Sequence, residues 1–192
     1  MPQHAPFVLS NSPVLESGRL VLRLQNSADF ERFAEMLADD IAAKHIGGVL
    51  ARAAAWRRFL QMPGAWLVQG FAMFSVIEKA SGRWIGMTGP WFPDGWPGTE
   101  VGWTFHPDAW GKGYATEAAT MAIDWTFANL EWAEIIHSIA PDNQASIKLA
   151  ERLGSSYLGP GQLPEPYADA KIGLWGQTRT QWLARRSTER SA

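Results

Sequence analysis

The sequence of 192 residues contains no cysteine. That excludes a disulfide framework, a thiolate nucleophile, a Cys-based zinc or iron–sulfur site and a thioester carried on the chain itself. Any acyl chemistry must use a thiol supplied by another molecule. An excess of one charge is missing too: 17 Lys and Arg stand against 19 Asp and Glu, a formal net charge of −2. Without a basic balance or a block of like charges, the electrostatic footprint of a general nucleic-acid binder is absent, and no nucleic-acid partner is expected.

Long hydrophobic runs are also lacking. The most apolar uncharged stretch, residues 63–77, holds Gln69 and Gly70 and falls short of the roughly 20 residues a membrane helix needs. It reads as a buried strand pair, with no membrane partner. Met1 to Leu15 has neither the Lys/Arg-led start nor the apolar core of a signal peptide, so a cytoplasmic chain is expected. What the chain has in abundance is tryptophan, 11 residues against 3 tyrosines, which implies large apolar faces with indole N–H groups in need of acceptors.

The length suits one domain over 1–192, with flexible ends at 1–12 and 185–192. Arg19 to Gln25 alternates polar and apolar residues after Gly18, the period of a half-buried strand. Ser27 stands as N-cap of an amphipathic helix carrying Phe30, Phe33, Met36 and Leu37 on one face. A second helix over 51–60 is predicted to stop at Pro63-Gly64. Three antiparallel strands over 66–78, 83–92 and 99–106 follow, then a helix from Gly113 to Asn129, a strand over 134–140, a helix over 143–153, and strands near 155–159 and 169–176. The prediction is an α/β (α+β) domain in the order β-α-α-β-β-β-α-β-α-β-β, with about seven strands in a mixed, mostly antiparallel sheet.

The segment Thr99 to Glu117 carries the chemistry. A strand runs into a small-residue loop that opens a helix, and Gly111 and Gly113 let backbone approach a ligand closely. Free N–H groups from Gly113 to Thr116 at a helix N-terminus suit a phosphate or pyrophosphate. A Rossmann fingerprint would need a third glycine where Thr116 stands, and a P-loop would need Ser or Thr after Lys112, where Gly113 stands.

Trp110-Gly111-Lys112-Gly113-Tyr114-Ala115-Thr116-Glu117-Ala118 resembles the pyrophosphate loop of the GCN5-related N-acetyltransferase (GNAT) superfamily, with Trp110 where the superfamily pattern has Gln or Arg. It has the form of the RimJ/RimL-like branch of ribosomal-protein N-terminal acetyltransferases. Asn143 to Gly154 resembles that branch's Asn-x-x-Ser helix with its closing Leu-Gly. Arg19 to Arg23 is similar to its opening strand, and Tyr167 to Asp169 with Trp182 to its end.

The resemblance implies acetyl-CoA as co-substrate, no metal, and an amine acceptor that is a protein N-terminus or a small molecule. It places the pyrophosphate on Gly111, Lys112, Gly113, Tyr114, Ala115 and Thr116, and the pantetheine along the backbone of Trp103, Thr104 and Phe105. Asn143 and Ser146 match positions near the coenzyme; Asn143 reads equally well as a helix N-cap. Glu100, on the strand face it shares with Gly102, Thr104 and His106, matches a catalytic glutamate, and proton removal from the amine needs such a base. His106 is a second candidate by residue type, but before Pro107 at a strand end it reads rather as structural. A tyrosine acid of many relatives is replaced by Ala150, which leaves Ser146 as the candidate donor to the departing thiolate.

Met36, His45, Trp56, Trp91, Trp96 and Tyr167 are the expected acceptor lining. The aromatic turn from Trp91 to Pro97 implies a lid or a homodimer surface. The alternatives to a transferase of this acceptor class are an acyl-CoA-binding module of the same fold without turnover and an aminoglycoside-type acetyltransferase, whose mark would be an acidic pocket.

Overall fold

A computed structural model describes residues 12–191, with the side chains of 190–191 outside the description. Strand β1 (Leu15–Glu16) turns into β2 (Leu20–Arg23), and four helices follow: α1 (Phe30–Ala38), α2 (Asp40–Ala43), α3 (Arg52–Phe59) and α4 (Gln61–Gln69). The meander is β3 (Phe74–Glu78), β4 (Trp84–Trp91) and β5 (Glu100–Phe105). Then come α5 (Tyr114–Asn129), β6 (Glu134–Ile139), α6 (Gln144–Arg152), β7 (Ser156–Gly161), β8 (Ile172–Thr178) and α7 (Arg179–Ser191). Eight strands form one sheet in the order β1-β2-β3-β4-β5-β6-β8-β7, antiparallel except for β5 beside β6.

Four expectations are corrected. Ser27 is not the cap: it opens a 3-10 turn, Ser27–Asp29, that leads into α1 and is capped by Asn26, whose side chain accepts from Ala28 N at 3.0 Å while Asp29 accepts from Asn26 N at 3.1 Å. That reciprocal box satisfies amides the helix leaves open. Asp29 is buried and takes both terminal nitrogens of Arg23, at 2.8 and 2.7 Å, plus the Ser75 hydroxyl at 2.7 Å. It therefore ties α1 to β2 and β3.

The stretch read as a buried strand pair instead contains α4. Pro63 falls in its first turn, where the missing N–H costs nothing. Gly70 closes the helix in the left-handed conformation at φ 80°. Trp66 is buried against Phe74 and Trp125, with ring centroids 5.1 and 5.6 Å away. This tertiary burial overrides the β propensity of Trp66, Leu67 and Val68, so β3 begins only at Phe74.

The stretch from Arg185, expected to be a flexible tail, continues α7. Trp182 is buried and donates to Asp124 Oδ1 at 2.8 Å, while Arg186 pairs with Asp124 Oδ2 at 2.9 Å. These contacts dock the helix on α5. The expected flexibility of the N-terminal dozen lies outside the described residues apart from Ser12. Finally, β1 adds a strand beside β2 that sequence periodicity did not mark, because it is only two residues long.

Candidate active site

A gap in the sheet builds the site. Strands β5 and β6 are parallel neighbours at a single pair, Glu100 and Ile136, where Ile136 N donates to Thr99 O at 2.9 Å. Beyond it the strands diverge. Alternation along β5 follows from the bond of His106 N to Ile85 O. It turns the backbone groups of Glu100, Gly102 and Thr104 toward β4 and those of Val101, Trp103 and Phe105 toward the gap. The expected coenzyme edge is narrowed accordingly. The Thr104 backbone is committed to its partner Met87, and Phe105 O accepts from the Trp110 indole at 2.9 Å. The N–H and C=O of Trp103 face the opening.

A cleft of about 810 Å³ runs through this gap, lined by Glu100, Trp103, Thr104, Asn143 and Ser146, with α1, α3 and the β7–β8 connection on its far side. Its size is that of a small-molecule site. Glu100 is buried at 7% exposure, and its Oε2 accepts from Trp96 Nε1 at 2.6 Å. Burial pushes its carboxyl up to about 6; hydrogen bonding from Trp96 draws it back partway. A carboxyl poised there is mostly ionised at neutral pH yet is a stronger base than an exposed glutamate. Among the described residues no cluster of His, Asp and Glu forms a metal site.

Across the gap, Trp103 Nε1 donates to Ser146 Oγ at 3.2 Å. The indole takes an acceptor position of the hydroxyl and leaves its proton available, polarised by the bond it receives. Asn143 caps α6: its side chain accepts from Ser146 N at 3.2 Å, while the residue also lines the cleft. The N-cap reading of Asn143 holds, and the cap leaves the residue on the cleft wall. Ala150, one turn beyond Ser146, is fully buried and offers no proton donor.

His137 was missed by sequence reasoning, although a histidine in the apolar run of β6 was the available signal. It is fully buried, and burial pulls its ring down to about 4, so it is neutral. Nδ1–H donates to Val101 O at 2.6 Å, and Nε2 accepts from the Ser155 hydroxyl at 3.0 Å. Gln177 donates to Ser155 Oγ at 3.0 Å and to Leu153 O at 3.1 Å. The ring thus occupies the wedge where the ladder ends and packs on Trp103 at 4.6 Å. His106, the other histidine considered, lies outside the cleft lining. It accepts from Asp108 N and sits 3.0 Å from the Asp108 carboxylate.

The loop before α5 stands apart from the cleft. Gly111 and Gly113 are left-handed, at φ 73° and 77°, and Gly113 is an N-cap without a side chain to bond the first turn. The amides of Tyr114, Ala115 and Thr116 have no intrahelical acceptor, which makes them donors for an anion. Gly111 and Lys112 are exposed. Arg19 braces the loop: it bonds Lys112 O at 3.0 Å, pairs with Glu117 at 2.5 Å and stacks 4.6 Å over the Tyr114 ring.

On the far side, Met36, His45, Trp91, Trp96 and Tyr167 line the cleft. Trp56 does not. It is 41% exposed on the outer face of α3, packed on Phe30 and Phe59 at 4.7 and 5.9 Å. Its indole covers the helix pair from outside. Arg58, on the same helix, does line the cleft and was not anticipated.

Residues 19–156 match the family profile described as an acetyltransferase (GNAT) domain. An uncharacterised N-acetyltransferase, p20 of Bacillus licheniformis, is 30% identical over 142 residues, covering 72% of this chain and 80% of that protein. The uncharacterised protein YkkB of Bacillus subtilis is 32% identical over 90 residues, covering 46% of this chain; the match spans about half of that relative, 52%. The crystal structure of an acetyltransferase from Agrobacterium tumefaciens superposes with TM-score 0.77 at 25% identity, covering 92% of this chain and 99% of that one. The divergent strands, the uncapped glycine loop and the profile match over most of the sequence converge: the chain belongs to the GNAT acetyltransferase family.

Proposed function

We propose that the protein moves the acetyl group of acetyl-CoA to a primary amine by direct attack in a ternary complex, with Glu100 as the base. One observation carries this reading: a buried carboxyl raised to about 6 stands where β5 and β6 separate, in one cleft with Ser146 and the open edge of Trp103. The residues fit the coenzyme. The free amides of Gly113 to Thr116 suit its pyrophosphate, and the Trp103 carbonyl suits a pantetheine amide N–H. When bound, acetyl-CoA supplies an activated acyl group on an external thiol, as a chain without cysteine requires.

The chain's own groups divide the proton work. Glu100 accepts the proton of the incoming ammonium, so that nitrogen attacks as the free amine. The Trp103 N–H is a donor for charge developing on the carbonyl oxygen. The Ser146 hydroxyl, held by Trp103 Nε1, donates toward the departing sulfur. A thiol with an ordinary pKa of about 8 to 9 needs no stronger acid. Within the family we place the chain in the RimJ/RimL-like branch on the form of its Trp110 to Ala118 loop. Its place of action is the cytoplasm, and its acceptor is a protein N-terminus or a small amine.

Glu100→Gln tests the assignment. Acetylation followed by CoA release across a panel of peptides and amines is expected to fall ~10²- to 10⁴-fold, with acetyl-CoA affinity unchanged. An unchanged rate rejects Glu100 as base. Saturable acetyl-CoA binding by the unaltered protein with no turnover on any amine supports the binding-module alternative instead.

A further inference from the structure

The acceptor half of the cleft holds a cation that, among the described residues, pairs with none of the cleft's carboxylates, Asp94, Glu100 and Glu165. Arg58, in the last turn of α3, is half-buried and donates through Nη1 to Ile46 O. Among the described residues it forms no ion pair. Of the other cations lining the cleft, Lys44 pairs with Asp142 at 2.7 Å and Lys171 is exposed. A guanidinium has five donors in a fixed fork, so most of the Arg58 fork is unused. The C-terminal dipole of α3 favours a cation in its last turn, which accounts for a charge there but not for its entry into the cleft.

The Tyr167 ring meets Arg58 over Gly47. A β-carbon at Gly47 would lie 3.1 Å from Arg58 Nη1, 3.2 Å from a Tyr167 ring carbon and 3.5 Å from its hydroxyl. Gly47 itself is left-handed at φ 96°. The bare glycine thus lets a guanidinium and a phenol close on one spot, and the Tyr167 hydroxyl has no hydrogen-bond partner among the described residues. The cleft that this pair shares with Glu100 is lined by apolar Met36, Met62, Met73 and Trp91 as well as by the carboxylates Asp94 and Glu165.

Resting on the acetyltransferase reading above, we propose that Arg58 and Tyr167 bind a carboxylate of the acceptor, so that the substrate is a small, largely apolar amino carboxylic acid. A planar carboxylate matches the guanidinium fork, and the phenol adds a third donor. Glu100 receives the amine end and Arg58 the acid end of the same molecule.

Matched pairs test this: L-phenylalanine against 2-phenylethylamine, and L-leucine against isopentylamine, as acceptors with acetyl-CoA. Each amino acid is expected to exceed its decarboxylated partner ~10- to 100-fold in kcat/KM. That ratio is expected to collapse toward one in Arg58→Ala, with partial loss in Tyr167→Phe and partial retention in Arg58→Lys. Equal or better use of the decarboxylated amines by the unaltered protein overturns the proposal. If no amine turns over, the transferase reading fails, and the carboxylate site is judged separately by calorimetry with CoA present. N-acetyl-L-phenylalanine is expected to bind at least ~10-fold tighter than N-acetyl-2-phenylethylamine, and equal affinities overturn it. Thermal melting of each variant separates loss of the site from loss of the fold.

Discussion

The Trp96 indole nitrogen stands 2.6 Å from Glu100 Oε2. The turn between β4 and β5 is thereby joined to the proposed base. Trp96 is half-buried in the cleft wall, and Phe92 is the exposed large apolar side chain of the turn. The bond favours the charged carboxylate, so it opposes the burial that raises the group to about 6. The ascending acid limb of kcat/KM is therefore expected at about pH 6. Trp96→Phe should move it upward by about one pH unit. An acid limb that stays in place in this variant separates the indole from the titration.

Glu100 and His137 pull acid stability in opposite directions. The Glu100 carboxyl is raised from 4.5 to about 6 in the folded protein, so the folded state binds the extra proton in that window and stability falls as pH rises through it. His137 is lowered from 6.5 to about 4, so its neutral burial stabilises above that range and is lost as pH falls through it. The linkage amounts to about 2 kcal/mol for Glu100 and about 3 kcal/mol for His137. The two largely cancel between pH 6 and 4.5 in the unaltered protein. Glu100→Gln should be more stable at pH 7 by up to about 2 kcal/mol and lose stability more steeply on acidification. Urea titrations across pH read both effects.

Asp29 is a stability residue without a part in the chemistry. It is 2% exposed and bonded to Arg23, Ser75 and the Asn26 amide. Asp29→Ala leaves Arg23 without its partner, and a loss of about 3 to 5 kcal/mol is expected in chemical denaturation.

Gly113→Val probes the anion loop. The site has space, with Arg19 Nη2 the nearest atom at 3.6 Å to a new β-carbon. The cost is conformational, because φ 77° is disfavoured for a β-branched residue. Acetyl-CoA affinity should fall about tenfold or more as the first-turn amides are redirected, while the far-ultraviolet dichroism spectrum stays the same. Equal affinity refutes the pyrophosphate assignment.

Local sequence determined what depends on neighbours in the chain. The alternation of Arg19 to Gln25, the three meander strands and the glycine loop at the head of α5 follow from side-chain period and from backbone that only glycine tolerates. The absence of cysteine required an external thiol, and the Trp110 to Ala118 and Asn143 to Gly154 stretches pointed to the family. Tertiary structure decided the rest. Trp66 to Gln69 has the composition of a strand and is helical because Trp66 is buried on Phe74 and Trp125. The stretch from Arg185 is polar and helical because Trp182 and Arg186 close on Asp124. Trp56 and Arg58 lie two residues apart on one helix, yet one faces outward and the other enters the cleft. The Glu100 carboxyl is raised because the fold buries it against the opposing pull of the Trp96 bond, and His137 fills a wedge between strands that no local pattern announces. Burial and long-range hydrogen bonds are properties of residues far apart in the chain, which is why a linear reading singled out the glycine loop and Glu100 but not the groups that surround them.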